Sequence, residues 1–247
     1  MTIDLFETPE RLALAKVTAD FTTREIVPSL SQWEDDELIP REVHQALGRV
    51  GLLGVGYDES VGGSGGDSID ATVLTEALIG AGASGGAYAS LFSHGIAIPH
   101  IIDAAQARAR VGEQAGADRL IERFSRPVLA GDKIAALAVT EPDGGSDVAH
   151  LRTRAVRDGD DWVINGAKTY ITSGIRADVM VIAARTGDVG AAGISLFAVD
   201  TSAPGFIVTR KLRKMGWNCS DTAELAFVDL RVPNGALLTP EPGGGFA

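Results

Sequence analysis

Leu137-Ala-Val-Thr-Glu-Pro-Asp-Gly-Gly-Ser-Asp147 decides how this chain is read. The run that leads into it, Ile134 to Val139, is short, apolar and free of charge, which predicts a strand. The strand then meets a sharp turn. Pro142 fixes its own φ, and Gly144 and Gly145 open backbone angles that a Cβ forbids. Such a turn leaves N–H groups that neither ladder nor helix claims, and they can converge on an anion such as a phosphate. Thr140 and Ser146 add hydroxyls that donate and accept. Taken alone, the same residues also read as a surface loop between strands.

Downstream, the turn and strand Arg157-Asp-Gly-Asp-Asp-Trp-Val-Ile-Asn-Gly166 lead into Asn165 to Gly174, NGAKTYITSG. Short β-branched runs then alternate with turns: Trp162–Ile164, Val179–Ile182, Gly193–Val199, Phe206–Val208 and Leu225–Val228. Strands at this spacing predict an antiparallel sandwich or barrel. Upstream the period is helical. Thr8 is a candidate N-cap with Pro9 at the first helical position, and Leu12, Leu14, Val17, Phe21 and Ile26 recur at helical spacing up to Pro28. Further helices are expected from Pro40 to Gly48, from near Ser68 or Asp70, and over Gly86 to His100. The fold class is therefore α+β, with an all-α domain over 1–133 and an antiparallel β-barrel or sandwich over 134–240.

The glycine-dense stretch Gly62-Gly63-Ser64-Gly65-Gly66 lacks the lysine of a phosphate-binding GxxxxGK[ST] loop and is read as a connection. Asp103 to Arg123 has a helical composition interrupted by Gly112 and Gly116. Ala77 to Ile102 contains no Asp, Glu, Lys or Arg, a length that could span a bilayer. Its five glycines, three serines, two histidines and a proline instead predict two buried helices with a small-residue joint.

The net charge of −11 argues against nucleic acid as a main partner, because a phosphate backbone needs a basic face. The exception is Arg210-Lys211-Leu212-Arg213-Lys214, which reads either as a contact for a phosphate or acidic partner or, preferably, as a solvated strand end. A single cysteine, Cys219, permits no internal disulfide and points to a reducing compartment. His44, His94, His100 and His150 lack ligand spacing, so no metal site is expected. The acidic N-terminus, MTIDLFETPE, lacks the basic-then-apolar order of a signal peptide. Together these give an expectation of a cytoplasmic protein with no membrane partner.

The pair Thr140-Glu-Pro-Asp-Gly-Gly-Ser-Asp147 and Asn165-Gly-Ala-Lys-Thr-Tyr-Ile-Thr-Ser-Gly174 is followed by Lys214-Met-Gly-Trp-Asn-Cys-Ser-Asp-Thr222 and Phe227-Val-Asp-Leu-Arg-Val-Pro233. With these motifs in this order, the chain resembles the acyl-CoA dehydrogenase family across almost its whole length. The resemblance implies FAD held between a β domain and a helical domain. It implies oxidation of an acyl-CoA thioester to a trans double bond beside the carbonyl, within fatty acid metabolism. A carboxylate takes the α-proton and the β-hydrogen leaves as hydride to the flavin.

Carried over by motif, Leu137, Val139 and Thr140 lie beside the flavin pyrimidine edge, with Gly145 in the same loop. Ser146 lies near the pyrophosphate and the acyl-CoA path, as both a cofactor and a substrate residue. Tyr170, Ile171 and Thr172 occupy the second flavin segment, where tryptophan or phenylalanine is common. Thr172 would offer a hydrogen bond to the reactive flavin nitrogen, and Tyr170 adds a hydroxyl that needs a partner. Seen alone, Tyr170 reads equally as a packed strand aromatic. Glu141 is read as an acceptor that orders the loop, because a residue locked into the cofactor loop is badly placed to face the substrate. His94 is read as a core histidine in preference to pocket lining.

Two departures from the family pattern stand out. The segment 103–123 is longer than usual, as a lengthened helix or an insertion. Pro242-Gly-Gly-Gly-Phe-Ala247 falls where the family enters a C-terminal helical domain, which carries the catalytic glutamate, so 241–247 reads as its start and no catalytic residue is assigned. The expected function is FAD-dependent α,β-dehydrogenation of an acyl-CoA, in a truncated or partner-completed form that is inactive in isolation. The alternative is a non-catalytic flavin- or CoA-binding subunit that pairs with a helical chain. The resemblance further implies an electron-transferring flavoprotein as electron acceptor and a homo-oligomer in the full-length form.

Overall fold

A computed structural model describes residues 6–188 and 190–245. Among them the helices are α1 (Pro9–Phe21), α2 (Leu30–Asp36), α3 (Arg41–Arg49), α4 (Ser68–Gly80), α5 (Gly85–Leu91), α6 (Ile98–Arg110), α7 (Gln114–Leu120) and α8 (Arg126–Leu129). The strands are β1 (Ala135–Ala138), β2 (Arg154–Asp158), β3 (Asp161–Thr172), β4 (Val179–Arg185), β5 (Ile194–Asp200), β6 (Phe206–Lys211) and β7 (Thr222–Pro233). Phe246 and Ala247, which end the 241–247 segment read above as the start of a C-terminal helical domain, lie outside the described residues.

The chain divides into two compact units. The first comprises residues 1–92, 126–132 and 214–220. Thr8 caps α1 by accepting from the Arg11 N–H at 3.3 Å, with Pro9 in the first turn. The helix stops at Phe21 and not near Pro28: a π turn over Thr22–Ile26 and a 3-10 turn over Val27–Ser29 follow. Pro28 has no N–H to continue the ladder, and the buried Thr22 hydroxyl donates back to Thr18 O at 2.8 Å. Asp67 and Asp70 form a reciprocal capping box on α4, and Arg11 clamps both at 3.0 and 2.9 Å. Phe21, Ile26, Trp33, Leu47, Leu53, Leu78 and Leu91 fill the core, each contributing about 1.5–3 kcal/mol of transfer free energy. Gly62 to Gly66 is a connection, as expected, pinned by bridges from Gly65 to Val55 and Tyr57.

The second unit comprises residues 93–125, 133–213 and 221–247. The helix expected over Gly86 to His100 is broken: α5 ends at Leu91, a 3-10 turn covers Ser93–Ile96, and α6 restarts with Pro99 in its first turn. The switch to strand period at Ile134 marks a change of secondary structure, whereas the compact units divide elsewhere. Helices α6 and α7 belong with the sheet, because Ser93 Oγ donates to Ala135 O at 3.1 Å and Arg108 donates to Leu237 O at 2.6 Å. Segment 103–123 is thus helical, forming the end of α6 and all of α7.

The sheet runs β1-β4-β2-β3-β7-β6, with β5 paired to β4. It is mixed and not purely antiparallel, because β1 and β4 pair in parallel, Ala135 opposite Val179. The β2–β3 hairpin lies between them in sequence and supplies the crossover that parallel strands need. The sheet curls, so that the chain leaving β1 meets β3, where the Thr169 N–H donates to Thr140 O at 2.9 Å. Ile134, Ala136, Ala138, Ile164, Ile171, Met180, Phe197 and Phe227 form the core. No helix among the described residues is long and apolar enough to cross a membrane, and no described cluster of His, Cys, Asp and Glu could hold a metal ion.

Candidate functional site

Alternation along β1 turns Ala136 and Ala138 into the core and leaves Leu137 and Val139 half-buried on the opposite side. Thr140 continues that half-buried line, and Gly145 and Ser146 are exposed on the turn beyond it. The turn closes on itself: Glu141 and Gly144 exchange N–H to C=O bonds at 3.0 and 3.1 Å. Two of the N–H groups expected to cradle an anion are therefore already engaged. Neither Gly144 nor Gly145 is among the glycines with positive φ, so the turn does not depend on their special angles. A Cβ on Gly145 would meet only Thr140 Cγ2, at 3.6 Å. The hollow behind the turn measures about 120 Å³, room for water or a small ion and not for a ring system.

Glu141 holds the turn in place. Its buried carboxylate accepts from the Arg152 N–H at 2.6 Å, the Thr153 N–H at 2.8 Å and Lys168 Nζ at 2.9 Å. Burial acts to raise its pKa, but the bonds from Thr153, Arg152 and Lys168 outweigh it and hold the carboxyl below the ordinary range. Lys168 is fully buried, and Nζ also donates to Val139 O at 2.9 Å. Burial pushes its pKa down to about 8 against the pull of Glu141. Around the turn, Arg152 pairs with Asp143 and His150 with Asp147, each at 2.7 Å. Arg185, also buried, donates to the carbonyls of Ala149, Leu151, Asp188 and Gly190.

The second segment carries backbone strain. Tyr170 and Ser173 have φ of +58° and +59°, a region that costs a non-glycine residue about 1–2 kcal/mol. The register with β7 shifts between Lys168 and Ile171, and this bulge turns Tyr170 outward, where its side chain is 71% exposed. Ile171 faces the other way and is buried in the sheet core, so only its backbone remains for a ligand. Thr172 is half-buried. Asp221 clamps the bend: it accepts from the Ile175 N–H at 2.7 Å and Arg176 Nε at 2.9 Å, and its carbonyl accepts from the Ser173 N–H at 2.9 Å. Two motif glycines are required by close approach. A Cβ on Gly166 would stand 2.5 Å from Thr153 Oγ1, and one on Gly174 would stand 2.7 Å from Ala223 Cβ.

The described residues of this unit thus leave Leu137, Val139, Thr140 and Thr172 half-buried and Tyr170 exposed, with β3 joined to the Thr140 turn by the Thr169 N–H bond to Thr140 O. The segment 8–110 matches the family model for the N-terminal domain of acyl-CoA dehydrogenases, and 136–230 matches that for their middle domain. The chain belongs to the acyl-CoA dehydrogenase family. The mouse long-chain specific acyl-CoA dehydrogenase of mitochondria is 39% identical over 92% of this chain and 50% of its own length. A Mycobacterium smegmatis crystal structure assigned as an acyl-CoA dehydrogenase is 54% identical, with a TM-score of 0.90 over 97% of this chain and 60% of that one. A glutaryl-CoA dehydrogenase from the same organism, solved in complex with FADH2, is 27% identical with a TM-score of 0.77, over 98% of this chain and 58% of that one. The chain therefore spans about half the length of the curated relatives it matches.

These residues fit a flavin chemically. An aromatic held out into solvent on strained backbone is costly without a ligand to meet it, and two threonines stand on the same unit as hydroxyl partners. Sequence reasoning assigned Glu141 its ordering role but missed Lys168, Asp221 and Arg185 as the groups that hold this site. A lysine inside the strand Ala167-Lys-Thr-Tyr-Ile171 was the available signal for the first. His94 is buried, in keeping with a core role. The basic run ends β6 in solvent, with Arg210 paired to Glu224 at 2.6 Å.

Proposed function

We propose that this chain holds FAD beside the Thr140 turn of its sheet unit and serves the α,β-dehydrogenation of an acyl-CoA thioester. The observation that carries the reading is the outward Tyr170 on left-handed backbone beside the braced Thr140 turn. Bound there, FAD would accept a hydride from the β-carbon of the thioester. Leu137 and Val139 would pack against the ring, Thr140 and Thr172 would bond its polar edge, and Tyr170 would cover it. Gly145 would let the loop approach the cofactor, the Ile171 backbone would line it, and Ser146 would face the pyrophosphate and the thioester.

Glu141 does not supply the base. Its carboxylate already receives three hydrogen bonds and is held ionised in a buried site, so it has neither reach nor basicity for an α-proton. We assign that step to a carboxylate supplied from outside this chain, in a longer form or on a helical partner, and the onward electron transfer to an electron-transferring flavoprotein. The test is reconstitution of the 247-residue chain with FAD. Flavin absorption bands that remain with the protein after gel filtration are the expected result, without oxidation of dodecanoyl-CoA or isobutyryl-CoA by an artificial acceptor. A chain that takes up no flavin overturns the cofactor reading, and substantial turnover overturns the assignment of the base.

A further inference from the structure

Helices α6 and α7 build a second hollow, at the other end of β1 and β5 from the Thr140 turn. Gly112, with φ of +84°, turns the chain between them. Leu120, Phe124, Val199, Ala203, Val232 and Ala236 line a mainly apolar cavity of about 960 Å³, at the upper end of the range for small-molecule pockets. Arg108 and Arg119 stand in its wall. They also border an adjoining hollow of about 480 Å³, with Glu113, Gln114 and Asn234 in its wall.

The two guanidinium groups converge. Arg108 Nη1 and Arg119 Nη2 lie 3.5 and 3.9 Å from the point where a Cβ on Gly116 would stand. Arg108 is half-buried and anchored by neutral acceptors, the carbonyls of Gly235 at 3.2 Å and Leu237 at 2.6 Å. Burial pushes its pKa down, the charge of Arg119 adds to that, and Glu113 opposes it. The other arginines of the cavity carry carboxylate partners: Arg123 pairs with Asp200, and Arg231 with Asp158 and Asp161. Arg108 and Arg119 form no ion pair with a carboxylate among the described residues, and Glu113 and Glu122 stand in the walls of the two hollows without bonding to either. A guanidinium presents a planar fork of donors that matches carboxylate and phosphate oxygens.

We propose that Arg108 and Arg119 bind the head of an amphipathic oxyanion, a carboxylate or phosphate, whose apolar tail fills the cavity lined by Leu120, Phe124 and Val232. The site uses none of the residues assigned to the flavin and stands independently of that reading.

The experiment is calorimetric titration of the full chain, below micellar concentrations, with dodecanoate, dodecyl phosphate, dodecanol and inorganic phosphate. One or both amphiphilic anions should bind at one per chain, and the comparison between them identifies the head. Dodecanol, which lacks the charge, and inorganic phosphate, which lacks the tail, should bind at least about tenfold more weakly. Arg119→Gln changes an exposed side chain and should weaken the anion by about tenfold with the thermal melt unchanged. Ala203→Trp should block the tail. Absence of binding by both anions overturns the proposal, as does equal binding of dodecanol or inorganic phosphate, or an affinity that Arg119→Gln leaves unchanged.

Discussion

Lys168 Nζ lies 2.9 Å from Glu141 Oε1, and the pair joins β3 to the turn that leaves β1. The lysine is fully buried and the glutamate nearly so. Removing one partner leaves the other as a desolvated charge, which costs about 3–5 kcal/mol. Glu141 keeps its two backbone donors if the lysine is lost, so Lys168→Met is expected at the lower end, about 3 kcal/mol. Urea unfolding of the two proteins measures it. A loss below about 1 kcal/mol would show that the pair is no stronger than a surface ion pair.

The same pair makes stability rise with pH at both ends of the scale. The Glu141 carboxyl sits below its unfolded value of 4.5, so its stabilisation is complete above pH 4.5 and is lost as pH falls through the folded value. The Lys168 ammonium titrates at about 8 in the fold against 10.5 unfolded. Between those values the unfolded chain binds the extra proton, so this group favours the fold increasingly as pH rises. Chemical denaturation from pH 3 to 10 should show the acid loss shrink in Glu141→Gln and the alkaline gain disappear in Lys168→Met. An alkaline slope that survives the loss of the lysine would assign it to another group.

Ser173 and Tyr170 pay out their strain differently. Ser173 is buried with φ of +59°, and its hydroxyl makes no hydrogen bond among the described residues. Ser173→Gly relieves both problems and should stabilise the chain by about 1 kcal/mol, seen as a raised midpoint in urea. Tyr170→Gly should gain similarly in stability while releasing flavin roughly fivefold more readily, because the aromatic face is lost. Equal flavin retention by Tyr170→Gly and the parent chain would remove Tyr170 from the cofactor site.

Periodicity alone was enough to read a helical first part and a β second part, because both patterns are strong in the residues. Thr8 with Pro9, Ser68 or Asp70, and the apolar run Val179–Ile182 each signal their element locally. The parallel β1–β4 pair was not legible, because it is set by a crossover between strands distant in sequence. Nor does any period reveal the side-chain bonds by which Ser93 and Arg108 fasten the segment around α6 to the sheet. At the candidate site, motif glycines drew attention to Gly144 and Gly145, while the strain lies at Tyr170 and Ser173. Left-handed backbone at a tyrosine contradicts local propensity, and only the bulge between β3 and β7 explains it.

Glu34 offers a further test, on the first unit. Its carboxylate accepts from the Asn218 N–H at 2.6 Å, the Cys219 N–H at 3.3 Å and the Cys219 thiol at 2.9 Å, fastening the segment 214–220. Burial, reinforced by Glu34, raises the thiol pKa to about 12. Reaction needs the thiolate and access, and the fold withholds both. The native chain at pH 8 should therefore leave its single cysteine unreacted toward an aromatic disulfide reagent until denaturant is added. Glu34→Gln keeps the shape but loses the anionic acceptor, so the segment should open more often and the thiol react faster by about tenfold. Complete labelling of the native parent chain within the mixing time would show that Cys219 is neither buried nor held by Glu34 in solution.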